Sequence, residues 1–595
     1  MGLCGLGVTL AGSLGGIAEY DPLIAFWQLI VILAGTLMVF KPGLRLPIHN
    51  AQAEFATWSR GDTLGVMTCS SITLLVSVLT GQLIGPLPPA YHDEYSYLFG
   101  AQSLLAGHWT WPLHPTHPEL FSQYHVLNEK VMASRYYPGT SAWLACWLAL
   151  GNPWWGQWVA ASLSTALLYM TGWELGGRRT AWWAGLLLAL SPGLALFDNL
   201  LLAHAPTLLG LSWFLWAFIR GWRQPTLAGW LLSGTGLAFA MLCRPATAAG
   251  CALPFGLAWL WRAWSCCRPT NSVAAPTCNH GWLIRSTIGL GLPLLAGWLI
   301  MLVCNRAVTG DWFYSPYQQY TDLYTPRHVY GLYNIERGEQ RLGPKVLEAY
   351  DRWAENLTPR LAWYNVLIRG LSSALWTIDL PLWTMTLAAW PWVWGETDRR
   401  WRMIMAAIVA LHAIHWPYWY VGIMGWHYVF ETAPLWCLLA GRLTHRAVTT
   451  AHNMQQPVLA ILWRLLIISS WVTMYGDHGE IAQSRWARGA SVIAYPRQQH
   501  AAFRQWLLHQ VGSEPALVLL LPEDTNPHLD FVINPPGLQG PLLIGRLQPE
   551  RDDLRQIIRD FPDRRVWVCW AEQRRLMRAE DYLVDKSHAS PAARD

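Results

Sequence analysis

Two adjacent carboxylates, Asp93 and Glu94, stand just beyond the apolar run 64–85, and a pair of charges beside a membrane-length segment needs a reason. A carboxylate in that position can act as a general base if it comes within hydrogen-bond reach of the proton it removes. Its complement is positive charge. If the substrate hangs from a lipid phosphate, the leaving group is already a stabilised anion and requires cations rather than an acid. Arg135 at the far end of the same loop, Arg244 at a later turn and His427 beside Tyr428 can supply that need. A guanidinium in particular matches phosphate geometry bidentately.

The elements that must position these residues follow from composition and hydropathy. The 595 residues are 53% hydrophobic and 13% charged, about half the charge content of soluble chains, which predicts a polytopic membrane protein. The 40 Trp and 22 Tyr agree, because amphipathic rings collect at headgroup depth. The net charge of +5 is modest and no basic cluster alternates with aromatics, which argues against a nucleic-acid partner. Most of the 11 Cys lie in apolar runs, as at Cys69, Cys146, Cys243, Cys304 and Cys437, and read as small core residues rather than a disulfide framework. Cys266, Cys267, Cys278 and His280 share a loop, but their spacing fits no zinc pattern. No metal site or cofactor is predicted, and a divalent metal stays open. The N-terminal residues show neither a basic n-region nor a cleavage motif, so no cleaved signal peptide is expected.

Spans of roughly twenty apolar residues are predicted at 22–40, 64–85, 156–175, 181–197, 206–219, 227–243, 246–264, 288–304, 371–394, 403–421, 428–443 and 458–475. With the Gly-rich run 3–18 left unassigned, this makes about 12 to 13 transmembrane helices. Alternate short loops carry the basic residues: Lys41, Arg45 and Arg60, then Arg178 and Arg179, Arg220 and Arg223, Arg262, Arg268 and Arg285, Arg399, Arg400 and Arg402, and Arg442 and Arg446. The positive-inside rule places them in the cytoplasm. The loops 91–139 and 305–369 then lie outside, the second being too long for its own charges to vote. After residue 475 the composition changes. Short strands at 516–521, 542–544 and 566–570, with a helix at 551–560, predict a small extracytoplasmic α/β domain. The expected organisation is N-terminal helices with a cytoplasmic loop over 1–63, a transmembrane catalytic module over 64–475 and the soluble domain over 476–595. The fold class is therefore mainly α, a polytopic helical bundle in the cytoplasmic (inner) membrane with a small C-terminal α/β domain.

Within the first outer loop, Tyr95, Leu98, Phe99 and Leu105 form a helical stripe with Ser96, Gln102 and Ser103 turned away, the pattern of a helix lying flat on the bilayer. Sugar transfer from a polyprenyl phosphate to an acceptor hydroxyl fits this placement. Asp93 would take the proton, and direct displacement would invert the anomeric carbon.

The loop, with Asp93 and Glu94 before the surface helix and the closing run Arg135, Tyr136, Tyr137, Pro138 and Gly139, resembles that of the GT-C class of integral-membrane glycosyltransferases. The resemblance is to the dolichyl-phosphate-mannose protein mannosyltransferase and aminoarabinose transferase group, and it covers roughly 64–443. Further matches are the step Gly151, Asn152, Pro153 and Trp154, the turn Gly177, Arg178 and Arg179, and Leu190, Ser191 and Pro192 followed by Leu202, Ala203 and His204. The resemblance implies a lipid-linked donor, an acceptor glycan, lipid or protein, and Asp93 as base with Glu94 beside it. It implies donor-phosphate contact by Arg135. Tyr136, Tyr137, His204, Arg244, His427 and Tyr428 join it as candidate donor-phosphate or substrate-binding residues. Ser96 departs from the aminoarabinose transferase, which has an Arg at that offset from its acidic pair. The Tyr-rich segment 314–333, with Arg327 and His328, resembles the loop that covers donor or acceptor in that class.

Each residue also has a plainer reading. Asp93 can cap the surface helix, and Glu94 can be a solvated first-turn acid. His92, His108, His114, His117, Glu119 and His125 suit a metal, but interfacial His with ordinary hydrogen bonds is the simpler expectation. Arg135 can snorkel to headgroups. Glu431, inside an apolar run, must face protein or a hydrated cavity. The polar run 528–534 reads as an ordinary loop and strand. A secondary transporter would require related halves with interrupted helices, which are not evident; a non-catalytic lipid-binding scaffold of the same fold is the other alternative.

Overall fold

The computed structural model describes residues 57–267, 280–338, 345–390, 398–476, 484–522 and 528–588. The expected spans 3–18 and 22–40, and Cys278 of the cysteine loop, lie outside the described residues. α1 (Arg60–Ile84) leads to α2 (His92–Leu105), the hairpin β1 (Val126–Asn128) and β2 (Met132–Ser134), and α3 (Pro138–Ala149). The bundle continues through α4 (Trp154–Ala189), α5 (Pro192–Phe197), α6 (His204–Arg223), α7 (Leu227–Cys243), α8 (Pro245–Cys267) and α9 (His280–Thr309). α10 (Pro316–Tyr324) and α11 (Lys345–Arg352) belong to the second long loop. α12 (Pro359–Thr377), α13 (Leu380–Ala388), α14 (Arg399–Ile414), α15 (Ala433–Asn453) and α16 (Pro457–Tyr475) complete the bundle. α17 (Arg485–Val511) then carries the chain to β3 (Ala516–Leu520), β4 (Leu542–Arg546), α18 (Leu554–Asp560), β5 (Arg565–Trp570), β6 (Arg575–Arg578) and α19 (Ala579–His588).

The chain is a mainly α membrane protein. α1, α9 and α16 are long and apolar enough to cross a bilayer, and α9 turns Ile284, Ile288, Leu292, Leu295, Leu299 and Val303 outward. Apolar side chains exposed at helical spacing suit a lipid environment, where burial from water supplies no drive between helices and close backbone approach replaces it. Small residues provide that approach: a Cβ on Gly236 would meet the Gly210 carbonyl at 2.8 Å, and one on Gly234 the Gly289 carbonyl at 2.5 Å. The run 156–175 and the first part of the run 181–197 pack as a hairpin within α4, and the rest of the second run forms α5. Gly177, at φ 76°, makes the reversal, and Gly172 comes to lie against Ala181. A positive φ there favours glycine.

Three boundaries differ from the hydropathy reading. The 371–394 run is not one span, because α12 begins at Pro359 and the chain breaks at Asp379, whose φ is 67°. The Asp379 carboxylate holds this break by accepting from Arg485 Nη1 at 2.6 Å and from the Thr473 hydroxyl at 2.9 Å. The spans expected at 403–421 and 428–443 are instead α14, ending at Ile414, and α15, starting at Ala433. Between them the chain is irregular apart from two 3-10 turns. Hydropathy misses this because the segment is buried in protein rather than lipid. The Arg369 guanidinium, on α12, satisfies its carbonyls at His415, Tyr418 and Tyr420, which is how irregular backbone survives at membrane depth.

The C-terminal sheet has the order β4-β3-β5-β6, with β3 parallel to both neighbours and β6 antiparallel to β5. All five residues of β3 are buried, as a central strand covered on both faces requires. Phe503, Leu507 and Val511 of α17 pack one face. Phe99, Leu120, Phe121, Val126 and Met132 of the first loop pack the other. The stretch 476–595 thus shares a hydrophobic core with 91–139. The same packing mixes the expected faces of α2: Ser96 and Ser103 are buried together with Phe99 of the stripe, while Leu105 and Gln102 are exposed. Ser96 donates to the His125 carbonyl at 2.6 Å and Ser103 accepts from the Trp111 indole at 3.0 Å. Buried hydroxyls are tolerated because the loop folds back to pair with them.

Candidate active site

The first turn of α2 sends its two acids in different directions. Asp93 is half-buried, its Oδ1 accepts from the Tyr136 hydroxyl, and its other oxygen makes no hydrogen bond among the described residues. Glu94 is 0% exposed, not a solvated first-turn acid. Its Oε1 accepts from the amides of Ala90 (2.7 Å) and Tyr91 (3.0 Å), and its Oε2 from the amide of Leu201 (2.6 Å), with Arg497 Nη2 of α17 at 3.9 Å. Burial pushes the Glu94 carboxyl up, and Arg497 and the three amides oppose that shift. Glu94 therefore reaches back to cap α2 and ties it to the 198–203 turn and to α17; its carboxylate has no open side for a substrate.

Arg135 follows β2 and is 3% exposed, so it does not snorkel to headgroups. Nη1 contacts His125 Nδ1 and Nη2 donates to the Thr321 hydroxyl, both at 3.0 Å. Its guanidinium lies 4.2 Å from the Tyr317 ring centroid, 4.4 Å from that of Tyr320 and 5.5 Å from that of Tyr136. Nε has no partner, and no carboxylate pairs with this cation among the described residues. Tyr136 thus bridges the two groups, its hydroxyl on Asp93 and its ring beside Arg135. Tyr137 stacks on Tyr317 with centroids 6.3 Å apart. Gly139 lets this run reach the bundle, since a Cβ there would lie 2.7 Å from the Leu242 backbone. That leaves two residues to Arg244.

Arg244 belongs to a second cluster. Nη1 lies 2.8 Å from Glu431 Oε1 and 2.6 Å from His204 Nδ1, and His204 Nε2 is 3.3 Å from His427 Nδ1. Tyr428 packs on Tyr418 and His415, with the Arg369 guanidinium 5.4 Å from its ring centroid. The Asp93 charge reaches Tyr97, Tyr136, Tyr350, Tyr420 and His427, so both clusters border one region. Residues not foreseen in the sequence are Arg369, Tyr350, Tyr418 and, on α10, Tyr317, Tyr320 and Thr321. The Tyr-rich segment 314–333 was the available signal for the α10 group. Its other two candidates meet protein groups: Arg327 Nε lies 3.8 Å from Asp351 Oδ2 and 3.4 Å from the Gly338 carbonyl, and His328 Nε2 lies 2.9 Å from the Tyr350 carbonyl.

The loop histidines pair with protein. His117 meets Asp560 at 2.8 Å, and His92 Nε2 lies 3.1 Å from the His528 carbonyl and 3.2 Å from the Asp530 amide. The polar run 528–534 thereby touches the residue next to Asp93. No group of three metal-ligating side chains occurs among the described residues. Burial pushes His92 down to about 4, His328 and His500 to about 3, and His125 well below the ordinary imidazole range. These groups are neutral when folded and take protons when released. Their contribution to stability is complete above about pH 6.5 and declines as pH falls from there through about 4. Hydrogen exchange over α2 and 528–534 should accelerate across that window and not on the alkaline side of pH 7.

Residues 152–270, about a fifth of the chain, match the family model described as dolichyl-phosphate-mannose-protein mannosyltransferase. The chain resembles the GT-C class of membrane glycosyltransferases. The matched stretch runs from α4 to the end of α8 and includes His204 and Arg244. No curated protein sequence matches the chain. Among solved structures, ArnT from Cupriavidus metallidurans bound to undecaprenyl phosphate is 12% identical with a TM-score of 0.48, over 89% of this chain and 96% of that one. Its apo form is 14% identical with a TM-score of 0.46, over 88% and 95%. The Archaeoglobus fulgidus oligosaccharyltransferase tethered with an acceptor peptide is 11% identical with a TM-score of 0.40, over 76% of this chain. The match spans only 61% of that oligosaccharyltransferase.

Proposed function

We propose that this protein is a glycosyltransferase that moves a sugar from a polyprenyl-phosphate-linked donor to an acceptor hydroxyl at the outer face of the cytoplasmic membrane. The observation that carries the reading is the pairing, across the single ring of Tyr136, of an acid with one free oxygen and a buried cation that has no carboxylate partner, both among the described residues. Such a cation is costly to bury unless an anion arrives to meet it. Arg135 therefore receives the donor phosphate and Asp93 faces the acceptor. The acceptor hydroxyl attacks the anomeric carbon, its proton passes to Asp93, the bond from that carbon to the phosphate oxygen breaks, and the polyprenyl phosphate leaves with the bonding pair beside Arg135. One displacement inverts the centre. The family match over 152–270 supports the reaction class. The facing supports it as well: Arg220 and Arg223 gather around Glu174 near Arg400, and Arg178 pairs with Asp62, while Asp93 and Arg135 belong to the loops that pack on the C-terminal sheet.

The test uses the purified chain in lipid nanodiscs with hexosyl and pentosyl polyprenyl phosphates, offered with glycan, lipid and peptide acceptors. Release of free polyprenyl phosphate together with a product of inverted anomeric configuration is expected for one pairing. Neither transfer nor saturable binding of polyprenyl phosphate with any of them would overturn the reading.

A further inference from the structure

The Arg244 cluster has a hydrogen-bond logic of its own. An arginine can only donate, and Nη1 of Arg244 has two hydrogens with three acceptors near it: His204 Nδ1 at 2.6 Å, Glu431 Oε1 at 2.8 Å and the His427 carbonyl at 3.4 Å. The two short contacts take the hydrogens. His204 Nδ1 also lies 3.2 Å from Glu431 Oε1, but the shorter contact, to a group that can only donate, governs: Nδ1 is the bare nitrogen, because an N–H there would set two donors against each other at 2.6 Å. Its proton sits on Nε2, which donates to His427 Nδ1 at 3.3 Å. With Nδ1 of His427 accepting, the proton of that ring sits on Nε2 in turn, and this atom has no partner among the described residues. His427 therefore ends the chain as an N–H donor, within reach of the Asp93 charge. The chain is built in, since His204 and Glu431 are both almost wholly buried and come from different elements, α6 and the 3-10 turn Phe430–Thr432.

Charge separates this donor from the Arg135 region. Arg244 is neutralised by Glu431, and a ring accepting from arginine is itself neutral, so the cluster carries no net charge. Arg135 has no such compensation. An anion gains more beside Arg135, and a neutral oxygen is suited to the His427 N–H.

Resting on the glycosyltransferase reading, we infer that Arg244 is a positioning residue: through His204 it fixes the tautomer of His427, whose Nε2–H binds a neutral oxygen, a hydroxyl of the transferred sugar, while the donor phosphate lies with Arg135. This assigns the two predicted binding groups, around Arg135 and around Arg244, to different parts of one donor.

The test compares R135Q, R244K, R244M combined with E431Q, and H427A with H427Q in the full-length protein. Two readouts are used: affinity for polyprenyl phosphate lacking a sugar, and kcat and KM with the complete donor. Removing Glu431 together with Arg244 leaves no isolated buried charge, and a thermal melt of each variant reports folding. R244M/E431Q and H427A should lose about tenfold or more in kcat/KM for the sugar donor and retain wild-type affinity for the bare lipid phosphate. R244K, also a pure donor, and H427Q, which keeps an N–H near the Nε2 position, should recover most of that loss. R135Q should weaken bare lipid-phosphate binding. If folded R244M/E431Q weakens the bare lipid phosphate as much as R135Q does, or if R244K recovers nothing, the inference is wrong. If the wild type binds no polyprenyl phosphate at all, it is the glycosyltransferase reading that fails.

Discussion

Asp93→Asn should reduce turnover by about 10²- to 10⁴-fold while leaving the melting temperature unchanged, because the amide keeps the shape but cannot take a proton. The Tyr136 hydroxyl still finds an oxygen at the position of Oδ1, so the first turn of α2 keeps its anchor. What is lost is the second oxygen, which makes no hydrogen bond among the described residues. The measurement is kcat at saturating donor and acceptor for both forms, with a thermal melt of each. Equal turnover would remove Asp93 from the mechanism, and a large drop in melting temperature would make it a structural acid.

The neighbouring acid should show the opposite signature. Glu94→Ala strands three buried amides, at Ala90, Tyr91 and Leu201, and removes the carboxylate nearest Arg497. An unsatisfied buried donor costs about 1–3 kcal/mol, and breaking one side of a buried charge pair about 3–5 kcal/mol. The loss should thus reach about 3–5 kcal/mol even if the 198–203 turn relaxes to hydrate one amide. Glu94→Gln should be milder than Glu94→Ala, because its amide oxygen can still accept from Ala90 and Tyr91, although its NH₂ confronts the Leu201 N–H and the side chain no longer neutralises Arg497. Thermal denaturation in detergent tests both. Stability unchanged in Glu94→Ala, with turnover abolished, would mean that Glu94 touches substrate after all.

These two residues show where one-dimensional reasoning stops. An acidic pair beside an apolar run is visible in any reading of the chain, but adjacent positions on a helix differ by about 100° in direction. Which acid keeps an open oxygen and which meets the Leu201 amide depends on the 198–203 turn and α17 arriving from more than 100 residues away. The same holds for α2. Its aromatic stripe suggested a face turned to lipid, but the loop hairpin and Trp111 supply partners for Ser96 and Ser103, so these two hydroxyls are buried, and Phe99 of the stripe packs into the core with the C-terminal sheet. Arg369 left no pattern at all, because its role is to satisfy carbonyls of a segment that hydropathy assigns to helix.

From the residues alone came the membrane class, three of the four strands of the C-terminal sheet, most bundle helices, and the candidate residues Asp93, Arg135, His204, Arg244 and His427. Hydrophobic periodicity and the cost of charge near lipid are local properties, and they survive in a linear string. Tertiary structure alone decided that Glu94 is an internal brace, that Glu431 neutralises Arg244 while Arg135 stays uncompensated, and that the last hundred residues share a core with the first loop. Pairing between distant charges and the sharing of one core by two remote segments are relations between positions, and those exist only once the chain has closed on itself.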